Sequence, residues 1–232
     1  PGMEAPKKPE QMALDMSTGE PITINNPLAT DVRKWGMWVL EEARKEIGHL
    51  YEDPEAQTTV AYLWARTAKC PNPPCGAEMP MVRQCWLAKT ARKKAAIRMN
   101  VDKVARRISF SVAEGADIDF DPDKGTMREG SIICPVCGQI PSETHLMDEG
   151  KAGRLGATMM AVVTEGTGNG KVYRSVLPSD YAKYDLAQHM LEEIFAEQPE
   201  WELIEPIDPT RPSPNARGLS AITRYGITEW GQ

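Results

Sequence analysis

Four cysteines fall into two close pairs, Cys70-Pro71-Asn72-Pro73-Pro74-Cys75-Gly76 and Cys134-Pro135-Val136-Cys137-Gly138. The second pair has the C-P-x-C-G form of a metal knuckle, in which the turn between the two thiolates points both sulfurs at one ion. The glycine that follows permits a positive φ and lets backbone amides face the sulfurs. The first pair is a wider, proline-stiffened loop, again with glycine after its second cysteine. Four thiolates with no histidine or carboxylate make a closed tetrahedral shell, the chemistry of structural rather than catalytic zinc. The competing reading is four ordinary buried thiols. His145, eight residues after Cys137, is the only fallback ligand.

Asn72-Pro73-Pro74 also matches the start of the Asn-Pro-Pro-aromatic loop with which amino-directed DNA methyltransferases hold a flipped base. The aromatic position is taken by Cys75, which cannot stack on a base and is wanted for metal. The prolines more simply stiffen the knuckle. Cys85, between Gln84 and Trp86, has no paired histidine in the sequence and reads as a packed free thiol. The run Gly150–Gly156, GKAGRLG, lacks the G-x4-G-K-[ST] order of a phosphate loop and reads as a turn.

The five cysteines, in a chain with no export signal, point to metal ligation in a reducing, cytoplasmic setting. No stretch of about 18 apolar residues is present, so no membrane span is expected. The chain opens Pro1-Gly2 and stops at Trp230-Gly231-Gln232, which looks like a piece of something longer. Its net charge of −6 hides a segregation: residues 66–107 carry 11 Lys/Arg against Glu78 and Asp102. That is +9 locally and −15 for the remainder. A basic block inside an acidic chain is a local electrostatic feature that suits an anionic partner.

The elements that must position these groups follow from periodicity. Residues 1–26 are polar, proline-rich and without period, and read as a flexible arm. Asn26-Pro27 opens a helix, and Val32, Trp35, Val39, Ala43, Ile47 and Leu50 repeat at helical spacing as one buried stripe in a 27–58 helical segment. Val60, Tyr62 and Trp64 predict a strand running into Cys70. Further strands are predicted over 81–89, 95–101, 107–113 and 158–164, with an acidic, turn-rich stretch over 117–130. Ser179 is the expected cap of a second amphipathic helix, about 180–197, with Tyr184, Met190, Leu191, Ile194 and Phe195 as core. The fold class is therefore α+β: a zinc-ribbon-type antiparallel β core with flanking amphipathic helices. A zinc-ribbon domain with an inserted β-hairpin spans 59–149, and an α/β segment spans 150–232.

With the knuckles placed, the segments WARTAKCPNPPCGAEMPMVRQCWLAK (64–89), CPVCGQIP (134–141) and GKAGRLGATMMAVV (150–163) resemble the adenine-specific DNA methylases that contain a Zn-ribbon. DVRKWGMWVLEEARKEIGHLY (31–51) and RYGITEWG (224–231) look like the same family's flanking segments. In that family this region lies between the glycine-rich S-adenosylmethionine loop and the Asp/Asn-Pro-Pro-Tyr catalytic loop. Neither loop occurs in this sequence, so the resemblance carries over no catalytic residue, and S-adenosylmethionine belongs to the parent protein only. It carries over the zinc role, onto Cys70, Cys75, Cys134 and Cys137.

The functional expectation is a non-catalytic insertion that grips DNA through the 66–107 segment. Its candidate contacts are Arg83, Lys89, Arg92, Lys93, Lys94, Arg98, Arg106 and Arg107, since phosphate contacts need Lys/Arg rather than a motif. Arg92-Lys93-Lys94 and Arg106-Arg107 are expected on one two-stranded face. The competing expectations are that these cations pair with the chain's own acids, or that the region is an assembly module docking to the rest of the methylase chain through exposed tryptophans.

Overall fold

A computed structural model describes residues 12–14, 21–23, 27–53, 58–128, 131–166 and 170–207. It divides into two compact units, Pro1–Tyr51 and Glu52–Gln232.

Within the first unit, in the stretch expected to be a structureless arm, β1 (Met12–Leu14) pairs antiparallel with β2 (Pro21–Thr23). Helix α1 (Pro27–Ile47) begins with proline at its first position, where the missing N–H has no intrahelical acceptor to lose. A 3-10 turn, Gly48–Tyr51, ends it. The expected buried stripe is not buried. Val32, Trp35, Val39 and Ile47 are exposed, as is Trp38; Ala43 is half-buried, and Leu50 is the one stripe residue that is buried. Trp35 and Trp38 instead meet edge-to-face at 5.9 Å. Helical periodicity records which side chains share a face, not whether anything covers that face.

The second unit is antiparallel throughout. A four-stranded sheet has the order β11-β10-β3-β4, built from β3 (Thr59–Lys69), β4 (Glu78–Pro80), β10 (Gly156–Glu165) and β11 (Lys171–Arg174). A three-stranded sheet follows chain order in β5 (Trp86–Lys89), β6 (Lys94–Asp102) and β7 (Arg107–Glu114). A short ribbon, β8 (Met127–Arg128) with β9 (Ser131–Ile132), leads to Cys134. Strands β3, β6, β7 and β10 match predicted ones, whereas β4, β8 and β11 are not among those expected, and of the strand expected over 81–89 only Trp86–Lys89 forms. The residues just before it bond to the acidic loop instead: Cys85 N–H to Pro122 O at 2.7 Å, Gly125 N–H to Arg83 O at 3.1 Å and Met127 N–H to Val82 O at 2.9 Å. A Cβ on Gly125 would collide with the backbone of Val82 and Arg83, so that approach requires glycine.

Two buried clusters result. One joins the two larger sheets through Ala65, Val82, Cys85, Ile97 and Ala161. The other gathers Ala68, Met79, Ile132 and Leu146 around Cys70, Cys75 and Cys134. Leu146 comes from α2 (Glu143–Lys151), a helix the sequence reading did not anticipate, whose Ser142 hydroxyl accepts from His145 N–H as an N-cap. Helix α3 (Pro178–Glu197) starts two residues earlier than expected, with Leu177 rather than Ser179 at its N-cap. Of its expected core, Tyr184, Leu191 and Ile194 are exposed, although Tyr184 lies 4.7 Å from Trp64, and Met190 and Phe195 are half-buried.

A knot of buried charge ties this unit together. The Arg174 guanidinium donates to Asp180 Oδ1 and Oδ2, each at 2.7 Å, and to Asp53 Oδ2 at 2.6 and 2.8 Å. Both carboxylates are 1% exposed, and Asp180 also accepts from Leu177 N–H at 2.7 Å. Burial raises the Asp180 pKa, but the Arg174 and Leu177 hydrogen bonds outweigh it and hold the carboxyl below its ordinary range. No spacing rule links Asp53 with residues more than a hundred positions away, so the knot is invisible in sequence.

Candidate metal centre

The two knuckles arrive from different directions. Strand β3 ends at Lys69 and β4 begins at Glu78, so the first knuckle is the loop of a β-hairpin whose last rung is Lys69 opposite Glu78. Cys70 N–H donates to Ala77 O at 2.9 Å and closes that loop. The Asn72 carbonyl accepts from Cys75 N–H at 2.8 Å and Gly76 N–H at 3.0 Å. The Asn-Pro-Pro segment thus shapes the knuckle. The second knuckle repeats this closure: Cys134 N–H donates to Gln139 O at 2.9 Å and Gly138 N–H to Cys134 O at 2.8 Å. Gly76 and Gly138, each following a second cysteine, have φ of +58° and +78°, a region that disfavours any residue with a Cβ.

All four sulfurs lie within 4.8 Å of one another, with Cys70–Cys137 at 3.6 Å and Cys75–Cys134 at 3.8 Å. A tetrahedral ion with about 2.3 Å metal–sulfur bonds has sulfur–sulfur edges of about 3.8 Å. A disulfide would need about 2.05 Å, and all five cysteines are free. The cluster therefore has the dimensions of a four-thiolate metal shell and can hold one ion. Cys70, Cys75 and Cys134 are buried and Cys137 is exposed. The Gln139 N–H, aided by Asn72 and the neighbouring cysteines, lowers the Cys137 pKa to about 6, whereas burial pushes Cys70 up to about 12 and raises Cys134. His145 is not a fifth candidate within this shell. Its Nε2 bonds the Lys69 carbonyl at 3.1 Å, so the Nε2–H form donates and ties α2 to the residue before Cys70. Only the spacing Ser142–His145 hinted at this second support, through the cap of α2.

Cys85 stands apart. Its thiol is buried and donates to the Lys124 carbonyl at 3.9 Å, and burial raises its pKa. That is a packed, protonated thiol.

The candidate basic contacts separate into two groups. Lys89 pairs with Asp123 at 3.0 Å, Lys93 with Glu114 at 3.3 Å, and Arg98 with Asp119 at 2.6 Å while lying over the Phe120 ring. The side chains of Arg83, Arg92, Lys94, Arg106 and Arg107 are exposed and make no ion pair among the described residues. Arg92-Lys93-Lys94 and Arg106-Arg107 do not share one place on the sheet. They lie at opposite ends of the nine-residue β6, separated by about 26 Å at roughly 3.3 Å per residue.

No helix among the described residues is long and apolar enough to cross a membrane. Protein-family models, curated proteins and solved structures contain no match to the chain.

Proposed function

We propose that this chain is the zinc-ribbon-type, non-catalytic region of an adenine-specific DNA methylase, and that it assists the enzyme in binding DNA. The observation that carries the reading is the convergence of four sulfurs, from knuckles 59 positions apart, at tetrahedral spacing beside a hairpin with unpaired cations. An all-sulfur donor set selects a thiophilic ion, and a closed four-coordinate shell suits zinc in a structural role. The resemblance of the knuckle segments to the Zn-ribbon methylases supplies the partner: the remaining methylase chain would bring S-adenosylmethionine and the catalytic loop. The unpaired arginines would attract phosphate without reading sequence.

The test is duplex DNA binding by the zinc-loaded chain across a salt series. Affinity that falls steeply with salt and is lost on chelation supports the reading, whereas salt-independent or absent binding contradicts it. A methyl-transfer assay on the same preparation should give no product.

One observation favours a second reading, a protein-assembly module. Trp35, Trp38, Val39 and Leu40 of α1 are all more than half exposed. On that reading the helix docks to another protein surface, and Trp35→Ala with Trp38→Ala would abolish assembly while leaving DNA affinity intact.

A further inference from the structure

The β6–β7 turn is built to present cations. Asp102 Oδ1 accepts from Val104 N–H at 2.9 Å and Ala105 N–H at 2.8 Å, which fixes the turn from inside. Val104 at its apex is 95% exposed. Arg106 adopts φ of +55°, the only non-glycine residue with positive φ among the described residues, and this strained conformation sets the direction in which its side chain leaves the turn. Arg106 and Arg107 line a cleft of about 210 Å³ whose opposite wall comes from the four-stranded sheet: Thr67 of β3, Glu78 of β4 and Thr158 of β10. Glu78 is the acid in that lining; it accepts from Thr67 Oγ1 at 3.2 Å and makes no ion pair with either arginine. The residues that line the cleft therefore include two arginines against one carboxylate. Its floor is continuous with the first metal knuckle, because Thr67 lies three residues before Cys70 and Glu78 three after Cys75.

We propose that this cleft is a phosphodiester subsite, in which Arg106 and Arg107 grip one backbone phosphate of duplex DNA. The inference rests on the DNA-binding reading above and locates it at one end of the hairpin. At the other end Arg92 and Lys94 also make no ion pair among the described residues but do not line this cleft, while Lys93, like Lys89 and Arg98 nearby, is neutralised by Glu114, Asp123 and Asp119 in turn. The unbalanced charge of +1 matches the single negative charge of a diester. A phosphomonoester, at about −1.5 to −2, would meet Glu78 uncompensated.

The test is fluorescence anisotropy with a mixed-sequence DNA duplex, with and without a 5′-phosphate, over a salt series. The zinc-loaded full chain is compared with Arg106→Asn/Arg107→Gln and with Arg92→Gln/Lys94→Gln. Asparagine tolerates the left-handed conformation at position 106, and thermal melting checks that both variants fold. The tip variant should weaken binding at least tenfold and reduce the log–log salt slope by about 0.9 for each phosphate contact removed. The base variant should change either quantity by less than half as much, and Glu78→Gln should tighten binding. The 5′-phosphate should leave affinity unchanged. Equal losses in the two variants, or a gain that requires the 5′-phosphate, overturns the subsite while leaving the DNA reading intact. No binding by the unmodified chain at low salt overturns both.

Discussion

The two buried clusters of the second unit each contain cysteine, yet the residue does opposite things in them. Around Cys70, Cys75 and Cys134 the neighbours are sulfurs within 4.8 Å, the closest at 3.6 Å, and the cluster can hold an ion at its centre. Around Cys85 the neighbours are alanine, valine and isoleucine from facing sheets, and the thiol is one more apolar group. A cysteine's role is thus set by how many other donors the backbone brings to it, which is a property of loops and their glycines. The first cluster should be metal-dependent and cooperative with loading, and the second indifferent to metal.

The largest expected effect breaks the first cluster. Cys134→Ser removes a buried ligand and with it a binding free energy that reaches about 10–16 kcal/mol in zinc-finger peptides. Hydrogen exchange should show amides of 68–79 and 131–151 losing protection while those of 95–97 and 159–163 keep theirs. Equal loss in both places would mean that the clusters are not separate.

Next comes the Arg174 knot, which needs no metal. Arg174→Met leaves two buried carboxylates without a cation and should destabilise the chain by about 3–5 kcal/mol. The pH dependence should also reverse. In the natural chain the Asp180 pKa is depressed, so its contribution is present at neutral pH and is lost as pH falls through the carboxylate range. In the variant, burial is left to raise that pKa, and melting temperature should rise on acidification. A variant that still loses stability in acid would show that Arg174 is not the partner that matters.

The smallest effect sharpens the comparison from the other side. Cys85→Ala should cost on the order of 1 kcal/mol and leave metal content unchanged, the response of a packed apolar site. Metal loss in that variant would join the two clusters into one.

What the sequence made legible follows the same division. Knuckle spacing and trailing glycines are local signals, and they located all four sulfurs. Alternation located β3 and β7, and an apolar run located β10, whose residues 161–164 are buried in succession. The failures are non-local. The α1 stripe has the right period and no cover among the described residues, the β4–β5 break is imposed by Gly125 and the 122–127 loop, and Arg174 meets Asp53 only through the fold. The basic block reads as one patch in sequence. Its partition into neutralised and free cations depends on Asp119, Asp123 and Glu114, which lie outside it in the chain.

The most direct test of the central claim is elemental analysis of the purified chain after loading and desalting, beside Cys134→Ser. One zinc per chain, with none retained by the variant, is the expected result. A chain that retains no zinc, or a disulfide joining Cys70 to Cys137, would contradict it.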